Sequence, residues 1–188
     1  MSDAISAIPG ARFDGIAHVE EAGLTGMITL RGDQSSKGVK AAATSVTGAK
    51  MPAQGQISFG KSGAIAWMSP DELMLFCPYA EVDAMLAKAE KALGDMHALA
   101  VDVSDARALF RVSGPAAREV LGKIFPIDFA PGQFEPGRLR RSRMGQIAAA
   151  VWMEEADSFG IICFRSVADY AFGMLKESAL PGSAVGIY

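Results

Sequence analysis

The sequence predicts an α+β fold made of two pseudo-duplicated β-α-β-β-β-α-β halves that form one compact body. Three observations carry this prediction. Landmarks recur in one order at a nearly constant spacing: Gly32 with Gly114, Trp67-Met68 with Trp152-Met153, Cys77 with Cys163, and Asp83 with Asp169. Between these landmarks, alternating apolar runs and helical stripes follow the same succession in both copies. The unit occurs only twice and is long, whereas a solenoid needs at least three shorter units to close a core.

Residues 1–20 are small, polar and proline-containing, and are expected to form a flexible N-terminal arm that orders only against something else. The first half spans 21–104. Met27, Ile28, Thr29 and Leu30 read as a strand, and Asp33 is placed to cap a helix with the apolar face Val39, Ala42, Ala43 and Val46, ended by Gly48. Strands at 57–59 and 64–68 are joined by Gly60-Lys61-Ser62-Gly63, a hairpin composition. Ser69-Pro70-Asp71-Glu72 turns the chain into a strand at 73–77. Val82, Met85, Leu86, Ala89 and Leu93 then mark the buried stripe of a helix stopped by Gly94, and a strand at 97–103 closes the half.

The second half, 105–188, opens with a strand at 108–112. Ser113-Gly114-Pro115 starts a helix with Val120, Leu121 and Ile124 facing inward. The stretch 126–137, with three prolines and two glycines, is the longest loop. Strands at 147–152 and 159–164 follow. Ser166 and Asp169 have capping-box spacing for a last helix built on Val167, Ala171, Met174 and Leu175, and Pro181-Gly182 turns the chain into a final strand at 184–188.

A chain of 188 residues that is 50% hydrophobic and 21% charged belongs with ordinary globular proteins, and buries roughly 70% of its unfolded surface without disulfides or metals. Its net charge of −3 provides no field for a polyanion, which argues against nucleic acid or an anionic membrane as partner. Two cysteines and two histidines do not make a four-ligand zinc site of the usual kind. With no signal-peptide core and no apolar run of spanning length, a cytoplasmic location is expected. Cys77 and Cys163 both sit in apolar strand runs, so buried thiols are expected rather than a disulfide or a nucleophile.

Several motifs have plainer explanations. Gly55 to Ser62 fits the G-x-x-x-x-G-K-S phosphate-loop pattern, but that chemistry needs a loop that runs directly into a helix N-terminus. Here the following residues alternate as a strand and Pro70 stops any helix. Arg31-Gly32-Asp33 is accounted for by a strand exit and a helix cap. Ser104 lies between Asp102 and Asp105, and a triad with His97 or His18 could be drawn, yet no nucleophile elbow is present and a turn role suffices. Glu154, Glu155 and Asp157 fall on a hairpin. Arg138, Arg140, Arg141 and Arg143 are the charge concentration that stands out in an acidic chain. Such a cluster clamps carboxylates or phosphates, on an acidic partner face or an anionic cofactor. It equally suits a solvated edge strand whose charges block sheet-to-sheet aggregation. No catalytic, metal or cofactor-binding residue is assigned.

Leu30-Arg31-Gly32-Asp33, Trp67 with Pro70-Asp71-Glu72-Leu73, Val101-Asp102-Val103-Ser104, the run from Phe110 to Leu121, and Arg165-Ser166-Val167-Ala168-Asp169-Tyr170 together resemble the gamma subunits of heterotetrameric sarcosine oxidases. The resemblance covers residues from about 12 to 180; the chain departs from it at Lys123-Ile124-Phe125-Pro126 and in the arginine-rich stretch. It implies a fold related to the folate-binding domain of the glycine-cleavage aminomethyltransferase. It also implies a non-catalytic role in a complex that demethylates sarcosine to glycine and passes the one-carbon unit to tetrahydrofolate. In such a complex FAD, FMN and NAD belong to other subunits, and the partners are the large alpha subunit with the beta and delta subunits. A stand-alone folate-binding protein of one-carbon metabolism, and a scaffold serving a different oxidase, remain the alternatives.

Overall fold

The computed structural model describes residues 4–188, in two compact units: Leu24–Ser104, and the N-terminal residues to Gly23 together with Asp105–Tyr188. In chain order the strands are β1 (Arg12–Asp14), β2 (His18–Glu21), β3 (Thr25–Arg31), β4 (Ile57–Phe59), β5 (Ala64–Ser69), β6 (Glu72–Pro78), β7 (Leu99–Asp102), β8 (Arg107–Ser113), β9 (Leu139–Met144), β10 (Ile147–Glu155) and β11 (Ser158–Phe164). The helices are α1 (Lys37–Thr47), α2 (Val82–Leu93), α3 (Ala117–Gly122) and α4 (Ala168–Ser178). No helix among the described residues is long and apolar enough to cross a membrane.

The unit Leu24–Ser104 runs β3-α1-β4-β5-β6-α2-β7, the succession expected for a half. Its antiparallel sheet has the order β4-β5-β6-β3-β7. One face packs Ile28, Leu30, Ile65, Leu73, Leu75 and Cys77 against the buried stripe of α1, namely Val39, Ala42, Ala43 and Val46. Gly48 ends α1 in the left-handed region, with its N–H bonded to the Thr44 carbonyl. The start of α1 differs from expectation. Ser36 is the cap, accepting from the Val39 N–H, while the Asp33 carboxylate is used one turn earlier by the N–H and hydroxyl of Ser35.

The second unit has a six-stranded antiparallel sheet in the order β1-β2-β8-β11-β10-β9. Residues 184–188 are not a strand. The place that β7 takes beside β3 is taken beside β8 by β2, with Val19 opposite Val112 and Glu21 opposite Phe110. The tail instead spends its donors elsewhere: the N–H groups of Val185 and Gly186 bond the Glu119 carboxylate at 2.6 and 2.9 Å. The flexible arm is corrected in the same way, apart from its first three residues, which lie outside the described ones. Ala17 and Val19 belong to the unit's core, Ser6 donates to the buried Glu21, and Arg165 donates to the carbonyls of Ile5 and Ser6. A segment without a core of its own is ordered by the open edge of β8. No side-chain cap bond forms at α4, so the Ser166–Asp169 capping box is also corrected; a 3-10 turn, Arg165–Val167, leads into the helix.

The repeat is visible in backbone bonds. Gly32 N–H bonds the Asp71 carbonyl as Gly114 N–H bonds that of Asp157, and a 3-10 turn precedes both α2 and α4. The tryptophans, however, are not equivalent. Trp67 pairs with Leu73 across β5–β6, and the corresponding pair across β10–β11 is Met153 with Phe159. Both ladders shift register just after these residues, at Trp67/Ser69 and Met153/Glu155. Trp67 therefore matches Met153, and Trp152 lies one residue away on the opposite sheet face, because strand side chains alternate. Trp67 is half-buried against the core of its unit; Trp152 is buried, with its ring over Gly160.

Candidate functional site

β9 is an edge strand, and its alternation divides the arginine cluster. Arg140 and Ser142 stand opposite Val151 and Ala149, which face the core beneath α3 and α4; Arg141 and Arg143 stand opposite Ala150 and Ala148 and point to the other face. Arg138 precedes the strand in register with Arg140, its carbonyl accepting from the Met153 N–H. The four arginines thus alternate along the strand two to a face, although Arg141 also reaches the cleft that Arg138 and Arg140 line.

Arg138 and Arg140, with Arg141 and Ser142, line one wall of a cleft of about 380 Å³. The facing wall is the loop after α3, through Pro126, Ile127, Asp128, Gln133 and Phe134. Three proline positions leave this loop short of donors, so its carbonyls need partners from outside. Arg118 supplies them. It is buried, its Nη1 donates to the carbonyls of Phe129 and Phe134, and it lies 3.8 Å from Glu135 and 3.6 Å from Asp157. Beneath the loop, Phe129 packs against Phe125, Phe134 and Phe159 with ring centroids 4.9 to 6.1 Å apart.

Sequence reasoning missed Arg118. The signal was a charge pair, Arg118-Glu119, set among Ala117, Val120 and Leu121 in a helix of six residues that is buried on every side.

The cleft is electrostatically one-sided. Arg138 Nε is buried without a hydrogen-bond partner, and Arg140 donates to the Leu139 carbonyl. Burial first, and repulsion from Arg138 second, pull the Arg140 pKa down from its ordinary value. The Asp128 carboxylate on the opposite wall accepts from the Ala130 N–H.

The other sequence candidates are placed as follows. Gly55 to Ser62 forms β4 and the hairpin into β5, so the phosphate-loop pattern leads to a strand, as the flanking sequence indicated. The Ser104 hydroxyl is occupied, accepting from the Met27 N–H at 2.9 Å and donating to Asp102, which is a turn role. His18 bonds Asp14 and Glu20. Cys77 and Cys163 are buried free thiols, each pushed up to about 11 chiefly by burial, which leaves little thiolate at neutral pH.

The profile of the sarcosine oxidase gamma subunit family matches residues 31–180. The chain belongs to that family. It is similar to the sarcosine oxidase gamma subunit of Corynebacterium sp. strain U-96, with 29% identity over 171 residues that cover 90% of this chain and 82% of the relative. A gamma subunit from Arthrobacter sp. is also 29% identical, over 65% of this chain and 60% of its own. Among solved structures, a chain of the heterotetrameric sarcosine oxidase from Corynebacterium sp. U-96, in complex with pyrrole 2-carboxylate, superposes with TM-score 0.82 and 28% identity, over 94% of this chain and 91% of that one. The glycine cleavage system aminomethyltransferase T from Bartonella henselae superposes with TM-score 0.64 and 15% identity, over 86% of this chain and 45% of its own. That second likeness is one of fold, and it is the fold relation that the gamma-subunit motifs implied.

Proposed function

We propose that this chain is the non-catalytic gamma subunit of a cytoplasmic heterotetrameric sarcosine oxidase. That complex demethylates sarcosine to glycine and transfers the one-carbon unit to tetrahydrofolate. The superposition at TM-score 0.82, covering nearly all of both chains, carries the reading. The side chains agree with an accessory role: the thiols are buried and protonated, and the hydroxyl of Ser104 is committed to the fold. The proposed direct partner is the large alpha subunit, with beta and delta completing the assembly and with FAD, FMN and NAD held by those other subunits. Arg138, Arg140, Arg141 and Arg143 are the proposed contact residues, being the cationic concentration of a net acidic chain.

Co-expression with the cognate alpha, beta and delta subunits tests this. The expected result is one co-eluting, flavin-coloured complex that oxidises sarcosine and loses this chain on charge reversal at Arg140 and Arg141, more readily at low salt than at high salt. A fully active complex assembled without this chain overturns the reading. Tight tetrahydrofolate binding by the isolated chain would transfer it to the stand-alone folate-binding class.

A further inference from the structure

Among the described residues, Arg138 and Arg140 make no ion pair. Elsewhere in the same unit, Arg111 reaches Glu154 at 3.8 Å and Arg118 reaches both Glu135 and Asp157. Among the described residues no ion pair joins Arg138 or Arg140 to a carboxylate, although acidic residues outnumber basic ones 21 to 18. The two sit on the same side of β9, and both line the cleft. Holding like charges together there, with the Arg138 Nε buried and unbonded, is unfavourable unless an acceptor arrives from outside. The cleft has room for that acceptor, with Pro126, Ile127 and Phe134 among the residues of its other wall. Across the cleft, the Asp128 carboxylate accepts from the Ala130 N–H and keeps its charge, but among the described residues it forms no ion pair with either arginine.

We propose that the cleft between the 126–134 loop and β9 is an oxyanion site, in which Arg138 and Arg140 together hold a carboxylate or phosphate group. Guanidinium forks match the oxygen spacing of either group, and two of them satisfy more of its lone pairs than one can. The group has two possible sources, a small free anion or an acidic side chain from a partner subunit, and the chemistry is the same for both. The site stands on this chain's own geometry and does not require the gamma-subunit reading.

The test uses the isolated chain and inorganic phosphate at constant ionic strength, with chloride as the balancing anion. Thermal melting and ³¹P line broadening are the readouts. A saturable stabilisation by phosphate is expected. The Arg138→Gln/Arg140→Gln double variant should weaken it by roughly tenfold or more, as expected for losing charge-assisted donors. Arg12→Gln/Arg143→Gln removes the same charge from exposed positions outside the cleft lining and should leave it within about twofold, since through-solvent effects of exposed charges are small. A second variant guards against misfolding of the first. Ser142→Glu places a carboxylate on the Arg140 side of β9 and should abolish phosphate binding while raising the melting temperature. No saturable effect in the parent, equal losses in the two double variants, or undiminished binding in Ser142→Glu would each overturn the site. Repeating the titration on the assembled complex separates the sources: retained phosphate binding identifies a small anion, and loss of it identifies a partner carboxylate. Failure to assemble leaves the isolated-chain result standing.

Discussion

Arg118 holds the loop that builds the cleft, and replacing it with Met should show how much that loop depends on one side chain. Methionine keeps most of the apolar stem, so the loss is confined to the guanidinium, with its contacts to the Phe159 ring and the Met153 sulfur. Its two ion-pair partners contribute little, because Glu135 and Asp157 are about half exposed and screened by solvent. The cost lies in the carbonyls of Phe129 and Phe134, which accept from Nη1 and would lose their charged donor in a buried setting. At about 1–3 kcal/mol for each abandoned acceptor, the total for two is about 2–6 kcal/mol. For a chain of this length that lowers the melting temperature by roughly 4–24 °C. Arg118→Lys should recover less than half, since one ammonium on a flexible stem does not reproduce the planar fork. Circular-dichroism melting gives the magnitude, and amide exchange across 126–137 shows whether the loop itself is released. An Arg118→Met variant that melts within about 1 °C of the parent would refute the argument. So would full rescue by lysine, or a loss that high salt reproduces in the parent.

Gly160→Ala would place a Cβ 2.3 Å from Cε2 and Cζ2 of the buried Trp152, costing about 1–3 kcal/mol by urea unfolding. Gly173→Ala, in α4 with nothing within 4 Å of the added carbon, should instead gain up to about 1 kcal/mol. His18 has its pKa raised above the ordinary 6.5, mainly by its hydrogen bond to Asp14 and against the effect of burial. Its stabilisation of the β1–β2 hairpin should be fully present below pH 6.5 and vanish as pH climbs through the folded-state value, with His18→Gln removing the dependence in an NMR titration. Glu119 has the opposite sign: its carboxyl is held below the ordinary 4.5, first by the Val185 N–H. The clasp on the C-terminal tail should hold above pH 4.5 and open as pH falls through the folded-state value, read as faster proteolysis after Leu180.

Elements whose local signals agreed were legible. α1 was found from its apolar stripe and Gly48, and the hairpins from glycines at their turns, because periodicity and turn chemistry operate over a few residues. What failed was decided at longer range. Residues 18–21 and 184–188 are both short segments able to cover the edge of β8, and nothing local says which does; the Glu119 carboxylate decides it by taking the donors of the tail. The choice between Asp33 and Ser36 as helix cap turned on three residues, and both are used, one for the turn and one for the helix. Aligning Trp67 with Trp152 was an error of a single residue, but in a strand one residue changes the face and therefore the environment.

The candidate site was the least legible part because it lies where the two copies differ. In the first, α1 has eleven residues and β4 has three, ending at the exposed Phe59. In the second, α3 has only six residues, the chain saved from the helix becomes the loop through Phe134, and β9 extends to six residues carrying the arginines. A loop of that length tucked against a core needs an internal donor, which explains a buried arginine at position 118. A longer edge strand facing that loop creates the cleft. A match between copies finds the scaffold they share, and for that reason overlooks this cleft. The arginine run pointed to the right strand, but one-dimensional spacing counts four charges together where the pleat puts two on each side. The usable prediction from such a run is therefore a pair at i and i+2 on one face, here Arg138 and Arg140, and it is against that pair that a ligand should be sought.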